Sequence, residues 1–310
     1  MAGRTLYRAL AANVYISEGR DHGLIAKIVA AGAHAGVILG NEFVDPVYNR
    51  SGLTLASSDA SKVEVAVLAL CREALRRLDL RRHTATHPRL GVVDHVSCNP
   101  LGAATCEEAA ALAARIGHGL GEEDPQVPVF FYGAARQDRR PLAELRRSLG
   151  YFGGAAKGEW SGLSAEIKDS IVRLPADCGP QAQVDERHGV AVVGAVPWVY
   201  NYNLLVTSAE LEQAELMTRC RRMARAVSAR GGGLAAVETM ALPHARGVEV
   251  ACNILDAEQS SPNLVRKKIL ELCEAEEVHL DSDYFTNRTP EELLDMVFPH
   301  RSDCGEQSEV

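Results

Sequence analysis

The chain has 310 residues, of which 46% are hydrophobic and 24% charged, and its formal net charge is −8. This composition is typical of a folded globular protein, and the length predicts one large domain or two subdomains. The negative charge argues against nucleic acid as a partner, because phosphate binding depends on Lys and Arg. No apolar run approaches the length of a membrane span, which argues against a membrane protein.

Cysteine usage indicates the redox compartment. The eight cysteines are scattered along the chain without a C-x-x-C pair. In a chain of this length with no secretory signal, this usage is typical of reduced thiols rather than of a disulfide framework. A strand-like run begins so early that little room is left for a cleavable targeting peptide. We therefore predict a cytoplasmic protein.

The first part of the chain predicts the order strand, helix, strand, strand, helix. The predicted strands are residues 10–16, 37–43 and 52–56, and the predicted helices are residues 23–33 and 61–80. A polar loop that contains Asn49 and Arg50 joins the second and third strands. From composition alone, these two residues are typical of turn chemistry and a solvated charge.

The middle of the chain continues this alternation up to a turn. We predict strands at residues 91–98 and 127–132, and helices at residues 106–120 and 141–149. The Gly-rich residues 151–162 have no clear structure. The turn at residues 177–180 is interpreted as the boundary between subdomains, because the pattern restarts after it.

The last part of the chain repeats the first order. We predict strands at residues 189–206, 234–242 and 248–254, and helices at residues 208–229, with Ser208 as N-cap, 262–276 and 290–296. The repeat predicts an α+β fold of two subdomains, each a mixed or antiparallel sheet with helices on its outer face, as in ferredoxin-like units, around a central cleft. The predicted subdomains are residues 1–180 and 181–300, and residues 301–310 form a polar tail for which we expect disorder.

The most chemically informative stretch is residues 81–95, where titratable residues crowd between a helix and a strand. Pro88 disfavours a helical conformation at His87, which predicts an extended loop there. An imidazole with an ordinary pKa of about 6.5 can take or give a proton at neutral pH. Arg89 could hold an anionic group of a ligand beside it. The residue types alone leave a catalytic and a structural His87 equally open.

A metal site is the other interpretation of this stretch, because His83 and His87 have the spacing of the zinc motif H-E-x-x-H. However, Thr84 replaces the Glu of that motif, and Pro88 argues against the helix that would aim both rings at one ion. We therefore predict no metal. Four histidines are each interpreted as satisfied, partly buried structural residues: His83, His95, His118 and His244.

Seven short motifs along the chain resemble those of glutamate formiminotransferase, the folate-dependent enzyme of histidine catabolism whose two subdomains flank a substrate tunnel. The motifs are Ile16-Ser17-Glu18-Gly19-Arg20, Asn49-Arg50, His87-Pro88-Arg89-Leu90-Gly91 with Asp94, Tyr132-Gly133, Gly179-Pro180, Asn201-Tyr202-Asn203-Leu204 and Asn253-Ile254-Leu255-Asp256. Each motif is weak alone, but their common order makes the resemblance specific. We expect a stand-alone homologue without the cyclodeaminase domain that is fused to the animal enzymes.

The resemblance implies a one-carbon transferase that moves a formimino or formyl group between N-substituted glutamate and N5 of tetrahydrofolate. His87 would shuttle the proton, tetrahydrofolate would be the co-substrate, and a homodimer is among the expected assemblies. The expected substrate-binding residues are Asn49 and three arginines, Arg20, Arg50 and Arg89, whose guanidinium groups suit carboxylates. The expected folate-binding residues are Gly179, Pro180, Gln181, Gly189, Asn201 and Asn203.

Three departures from the family pattern leave the donor open. The family has Val-Pro-Asn before its first motif, where this chain has Asn13-Val14-Tyr15. Phe43 replaces an Asp, which Asp45 could partly substitute, and Ala85-Thr86 replaces Gly-Glu before the key His. One alternative is therefore a reduced-folate-binding protein with weak or no transfer. Another is a structural or partner-binding protein.

Overall fold

The computed structural model describes residues 7–153 and 159–299, and the predicted polar tail at residues 301–310 lies outside these ranges. The protein is α+β and divides into two compact units. The first unit combines the chain up to Val196 with the chain from Thr289 onward, and the second unit is Pro197–Arg288. The prediction of two sheet-and-helix subdomains is confirmed.

The first unit is built on a six-stranded sheet in the order β2-β3-β1-β5-β8-β6. Its elements are β1 (Arg8–Ile16), α1 (His22–Ala31), β2 (Ile38–Asp45), β3 (Arg50–Ser57), α2 (Ala60–Arg77), β4 (Thr84–Ala85), β5 (Val93–Gly102), α3 (Cys106–Glu122), β6 (Val129–Gly133), α4 (Leu142–Ser148), β7 (Trp160–Ser161), α5 (Ala165–Arg173) and β8 (Ala191–Ala195). Strand β1 pairs antiparallel with β3 and β5, and β8 runs parallel to β5 and β6.

The second unit is a four-stranded antiparallel sheet in the order β10-β11-β9-β12. Its elements are β9 (Tyr200–Thr207), α6 (Gln213–Val227), β10 (Val237–His244), β11 (Gly247–Ile254), α7 (Pro262–Ala275) and β12 (His279–Phe285). The chain then forms α8 (Pro290–Val297), which packs against strands of the first unit.

The repeat predicted from the sequence is present in both units, and in each it is followed by one more strand. In the first unit this strand is β5, which was predicted at residues 91–98, and in the second it is β12, which was not predicted. Strands β1, β2, β3 and β5 of the first unit have the same sheet order as β9, β10, β11 and β12 of the second. With the two intervening helices, each set forms the β-α-β-β-α-β arrangement of ferredoxin-like folds. The sequence did not reveal β12, because it is an edge strand rich in exposed polar residues.

The first unit ends later than the boundary predicted at residue 180. Residues 189–206 were expected to form one strand, but they form β8 and β9, which belong to different sheets. Pro197 lies between them and carries no backbone N–H for a ladder hydrogen bond. Because β8 inserts between β5 and β6, the chain returns to the first sheet after the predicted boundary.

Two helix predictions need correction. Helix α6 begins at Gln213 rather than near residue 208, and Ser208 is not its N-cap. The Ser208 hydroxyl accepts hydrogen bonds from the backbone N–H groups of Glu210 and Leu211 and so forms a turn before the helix. Helix α5, which Ser164 caps, was not predicted. It follows the Gly-rich residues 151–162, of which residues 154–158 are outside the described ranges.

The core of the first unit lies between the sheet and helices α2 and α3. Val14 and Ile16 of β1 and Leu53 of β3 face this core and are buried. Side chains alternate along a strand, so Asn13 and Tyr15 point to the opposite face. That face therefore carries the polar groups from which a site can be built. In the described part of the chain, no helix has both the length and the apolar character needed to cross a membrane.

Candidate active site

The predicted catalytic stretch lies at one end of the six-stranded sheet. Strand β1 ends there at Ile16, which pairs with Ser51 at the start of β3 and with Val93 at the start of β5. Antiparallel pairing thus brings together the Ser-Glu-Gly-Arg turn, the Asn49-Arg50 pair and the His87 segment. His87 itself lies outside any helix or regular strand, as predicted.

Asn49 holds three of these loops together. Its side-chain oxygen accepts a hydrogen bond from the backbone N–H of Gly19 at 2.9 Å, and its amide nitrogen donates to the carbonyl of Thr84 at 3.0 Å. Gly19 packs so closely that a Cβ there would lie 2.2 Å from the carbonyl oxygen of Asp45. Asn49 has a positive φ of 49°, a conformation that Asn adopts more readily than most residues. Both polar groups of its side chain are therefore engaged within the protein.

His83 is locked in a neutral form. The Nε group of Arg89 donates to its Nδ1 at 3.0 Å, so Nδ1 carries no hydrogen. The other ring nitrogen, Nε2, must then carry it, and it donates to the carbonyl of Asn49 at 2.9 Å. Burial, reinforced by the charge of Arg89, lowers the pKa of His83 to about 4. His83 is thus a satisfied buried residue.

Arg89 is buried and bonded mainly to backbone and to His83. Its Nη2 group donates to the carbonyl oxygens of His83 at 3.1 Å and Gly162 at 2.9 Å. Burial lowers the pKa of Arg89 to about 10. The Nε and Nη2 donors of Arg89 thus bond to His83 and to the more distant Gly162, and contact of this guanidinium with a ligand stays a prediction.

His87 is half-buried, and among the described residues no hydrogen bond fixes the protonation of its Nε2. Its Nδ1 lies 2.7 Å from the carbonyl oxygen of Pro88. A carbonyl can only accept, so Nδ1 carries the hydrogen and the lone pair lies on Nε2. Burial, followed by the charge of Arg50, lowers the pKa of His87 to about 3, against the opposing effects of Pro88 and Asp94. The ring is therefore neutral at physiological pH and can accept a proton at Nε2.

Two aromatic rings flank His87. The ring centroid of Tyr48 lies 5.4 Å from that of His87, and the centroid of Tyr151 lies 6.4 Å away. Both rings meet the imidazole edge to face, an arrangement that aromatic pairs favour. These contacts limit the orientations of the imidazole, and they were not visible in the sequence.

A buried ion pair lies beside His87. The Nη1 group of Arg50 donates to Oδ2 of Asp94 at 2.6 Å, and the two side chains are 8% and 0% exposed. Asp94 also accepts from the backbone N–H of Leu90 at 2.6 Å, and Arg146 lies 3.6 Å from it. Burial alone would raise the pKa of Asp94, but Arg50 and Arg146 outweigh it and hold the pKa at about 2. Arg50 is thus buried, and the solvated turn charge that composition alone suggested is wrong.

Tyr15 occupies the face of the sheet next to this ion pair. The Cζ atom of Arg50 lies 4.6 Å from the centre of the Tyr15 ring, and the ring stacks on His95 at 5.5 Å. His95 in turn lies 2.7 Å from the hydroxyl of Tyr132, measured from Nε2. Burial lowers the pKa of His95 well below its usual value. Tyr15, one of the residues that depart from the family pattern, therefore lies beside the buried ion pair.

Arg20 is the one expected substrate-binding residue of the four whose side chain is exposed. Its Nε group donates to the carbonyl of Pro46 at 3.0 Å, and its Nη1 group donates to the Thr84 hydroxyl at 3.3 Å. These bonds orient the guanidinium at the edge of the same loop cluster. Arg20 therefore keeps an exposed and oriented positive charge at this edge.

Four of the expected folate-binding residues belong to the first unit. Gly189 has a φ of 70°, and a Cβ there would lie 2.3 Å from the carbonyl oxygen of Leu90, so it packs against the His87 segment. Gly179, Pro180 and Gln181 form a turn near the start of β6, at the same end of the sheet. Gln181 donates to the carbonyl of Gly179 at 3.1 Å.

Asn201 and Asn203 belong to the second unit, on β9. Asn201 donates to the side-chain oxygen of Asn253 at 2.7 Å, and Asn203 donates to Glu249 at 2.8 Å. The Tyr284 hydroxyl donates to the other oxygen of Glu249 at 2.8 Å. Tyr202 and Leu204, which alternate with the two Asn residues, belong to the core of this unit. The sequence singled out neither Glu249 nor Tyr284, because β11 and β12 become neighbours of β9 only in the sheet.

Metal ligands are not grouped in the described residues: no cluster of three or more His, Cys, Asp or Glu side chains could hold an ion there. His83 and His87, which have the spacing of a zinc motif, direct ring nitrogens to different backbone carbonyls. The donors of the site are instead guanidinium, phenol and imidazole groups. These groups suit an anionic or polar organic substrate.

Comparison with known proteins gives one consistent result. Residues 9–196 match the family described as the formiminotransferase domain, N-terminal subdomain. The chain is 38% identical over 289 residues to a formiminotransferase cyclodeaminase-like protein of Arabidopsis thaliana, which covers 91% of this chain and 94% of that protein. It is 29% identical over 243 residues to the glutamate formimidoyltransferase of Thermoplasma acidophilum, which covers 77% of this chain and 74% of that one.

A longer relative shows the same similarity over part of its length. The chain is 27% identical over 269 residues to the formimidoyltransferase-cyclodeaminase of Rattus norvegicus. The match covers 85% of this chain but 46% of the rat protein, so it spans about half of that relative.

Proposed function

The chain belongs to the formiminotransferase family, and on this premise we propose that it transfers a formimino or formyl group between an N-substituted glutamate and N5 of tetrahydrofolate. Tetrahydrofolate is then a co-substrate. The observation that carries the proposal is a neutral His87 with its lone pair on Nε2, held beside a buried cluster of guanidinium groups. This arrangement supports proton transfer next to an anionic substrate.

The proposed mechanism needs one base that becomes an acid. N5 of tetrahydrofolate attacks the carbon of the formimino or formyl group and forms a tetrahedral intermediate in which N5 is positively charged. Nε2 of His87 takes the proton from N5. The imidazolium then gives this proton to the glutamate nitrogen as the bond between that nitrogen and the carbon breaks, and His87 returns to its neutral form.

The low pKa of His87 favours the second proton transfer. Burial and Arg50 destabilise the imidazolium, which makes it a strong acid toward the leaving nitrogen. The first transfer tolerates a weak base, because N5 is acidic once it carries a positive charge. In the proposal, Asp94 holds Arg50 in place and moderates its effect on His87.

The expected binding residues have different proposed roles. Arg20 meets a carboxylate of the donor from the edge of the site, whereas Asn49 and Arg89 position the loops that carry His87. Arg50 supplies buried positive charge. The proposed folate-binding residues are Gly179, Pro180, Gln181 and Gly189 in the first unit, and Asn201 and Asn203 in the second.

A transfer assay tests the proposal directly. Purified protein is incubated with tetrahydrofolate and either N-formimino-glutamate or N-formyl-glutamate, and the N5-substituted folate is quantified. We expect transfer from one donor well above the rate without protein. Calorimetry with tetrahydrofolate and 5-formyl-tetrahydrofolate measures binding separately. Binding of neither folate and no transfer would refute the proposal.

Tyr15 favours a second candidate, a reduced-folate-binding protein with little transferase activity. The phenol replaces the family Asn, and its ring covers one face of the Arg50 guanidinium. A donor carboxylate that needs this face would then be excluded. Tight binding of 5-formyl-tetrahydrofolate without transfer from either glutamate donor is the result expected for this candidate.

The cellular setting belongs to the same proposal. The seven cysteines in the described ranges are free thiols, and most are buried. This supports a reducing location such as the cytosol. A homodimer is part of the proposal through the family resemblance, and sedimentation of the purified protein measures it.

A further inference from the structure

Helix α4 brings a second guanidinium to the carboxylate of the buried ion pair. Arg146 lies on this helix, its side chain is 12% exposed, and its Nη2 group lies 3.6 Å from Oδ2 of Asp94. The Cζ atom of Arg146 lies 4.4 Å from the centre of the Tyr151 ring. Neither residue belongs to the motifs that indicated the function.

Arg146 and Tyr151 each have one buried polar atom without a hydrogen-bond partner in the described part of the chain. The Nε group of Arg146 and the hydroxyl of Tyr151 have no hydrogen-bond partner among the described residues. Tyr151 is only 1% exposed. Buried polar groups in native proteins are nearly always paired, because an unpaired group loses its hydration without compensation. Both of these groups can donate, so the group that completes them is an acceptor.

The charges around Arg146 and Tyr151 indicate the charge of this acceptor. Arg50 and Arg146 share the single carboxylate of Asp94. Positive charge therefore exceeds negative charge in this buried cluster. Arg89 adds a further guanidinium nearby. Burial lowers its pKa by more than Asp94 raises it. An anion with several lone pairs would balance the cluster, and a carboxylate has this chemistry.

We propose that Arg146 and Tyr151 bind a carboxylate of the glutamate-derived substrate. This rests on the proposed transfer function and adds two residues to its site. The ring of Tyr151 lies 6.4 Å from that of His87, so the bound carboxylate is near the transferred group. That distance favours the small glutamate donor over the glutamate tail of folate, which lies at the far end of that molecule from N5.

The test compares Arg146→Gln with Arg147→Gln. Both positions are on α4 and lose the same charge, but Arg147 is exposed, which makes it a matched control. We expect Arg146→Gln to raise the KM for the glutamate donor by about 10- to 100-fold, the usual effect of losing a charge-assisted hydrogen bond. The KM for tetrahydrofolate should change by less than about twofold, and Arg147→Gln should leave both unchanged.

Two further variants keep the test decisive if Arg146→Gln does not fold. Tyr151→Phe removes only the hydroxyl, and Arg146→Lys keeps the charge but not the planar fork. We expect both to raise the donor KM by about 3- to 30-fold, because each retains part of the site. Melting temperatures close to that of the wild type show that these changes are not consequences of unfolding.

The outcomes separate this inference from the proposed function. An unchanged donor KM in all variants of Arg146 and Tyr151 overturns the inference while transfer itself stands. An equal rise in the KM for tetrahydrofolate assigns the site to the folate tail and also overturns it. If the wild type shows no transfer, calorimetry with N-formyl-glutamate decides: binding that Arg146→Gln weakens and Arg147→Gln does not supports the carboxylate site, and absence of binding overturns it.

Discussion

The two units share one strand order but differ in the chemistry they carry. In the first unit, the link from the second helix to the last strand of the repeat is residues 78–92, and it contains His83, His87 and Arg89. In the second unit, the equivalent link is residues 276–278. A repeated fold thus provides the scaffold twice, while the longer connection gives only one unit its imidazole and guanidinium cluster.

The polar faces of the two sheets differ in the same way. The first unit buries Arg50 and Arg146 around one carboxylate, whereas the second buries Glu249 among the amide of Asn203 and the hydroxyl of Tyr284. The first arrangement suits proton transfer beside an anion. In the second, both carboxylate oxygens of Glu249 already accept hydrogen bonds from the protein. We therefore expect substitutions in the first unit to affect turnover and those in the second to affect folate affinity or stability.

The largest expected effect tests where the proton shuttle lies. His87→Ala should lower kcat by roughly 10²–10⁴, the usual contribution of a positioned general base, and change folate affinity little. His118→Ala, an exposed histidine on α3, is the control and should not affect kcat. His83→Ala should reduce turnover much less than His87→Ala. Transfer that survives His87→Ala would assign the shuttle to another residue and break the contrast between the units.

The next effect concerns the ion pair of the first unit. Asp94→Asn should lower the free energy of unfolding by about 3–5 kcal/mol, because it leaves Arg50 buried without a negative partner. Urea unfolding measures this loss. Asp79→Asn, whose carboxylate pairs with exposed Arg81 in a short turn, should cost much less. If both variants lost a similar free energy of unfolding, burial would not be the reason for the large contribution of the Arg50–Asp94 pair.

A smaller loss is expected for the buried carboxylate of the second unit. Glu249→Gln replaces one acceptor oxygen with a donor, which cannot accept from both Asn203 and Tyr284. The free energy of unfolding should fall by about 1–3 kcal/mol, and turnover should stay near that of the wild type. Exposed Glu258→Gln is the control. A large loss of kcat in Glu249→Gln would show that the second unit also contributes to the chemistry.

The pH dependence of stability tests whether His83 and His87 are neutral in the folded protein. The pKa values of His83 and His87 are lowered to about 4 and about 3, so the folded protein keeps both rings neutral where the unfolded chain takes up protons below about pH 6.5. Stability therefore falls as the pH drops from 6.5 toward 4, by roughly 1.4 kcal/mol per pH unit for each ring. His83→Gln removes one of the two rings, so the slope should fall by roughly 1.4 kcal/mol per pH unit. An unchanged slope would contradict a neutral, buried His83.

Asp94 contributes in a lower pH range. Its folded pKa of about 2 lies below that of the unfolded carboxyl, so its stabilisation is present above about pH 4 and is lost as the pH falls toward 2. In Asp94→Asn this part of the acid transition should disappear, while the slope between pH 4 and 6.5 remains. Unfolding free energies measured at closely spaced pH values separate the two ranges.

Local patterns in the sequence were sufficient for most elements and for the loop that carries His87. The periodicities that predicted α2, α3 and the hairpin of β10 and β11 involve residues close together in the chain, and propensity acts over that range. His87 was placed on a loop for the same reason, because Pro88 restricts its neighbour directly. The repeated element order, which is also local, was enough to indicate two ferredoxin-like units.

Only the tertiary structure decided which polar groups form hydrogen bonds within the protein and where the first unit ends. Arg50 meets Asp94 across strands, and Arg89 meets the carbonyl of Gly162 from far along the chain. The insertion of β8 between β5 and β6 depends on pairing with strands far away in sequence. Hydrogen-bond partners at such separations are chosen by packing rather than by local propensity. For this reason the sequence identified His87 by its neighbour, while the unpaired donors of Arg146 and Tyr151 are visible only in the folded protein.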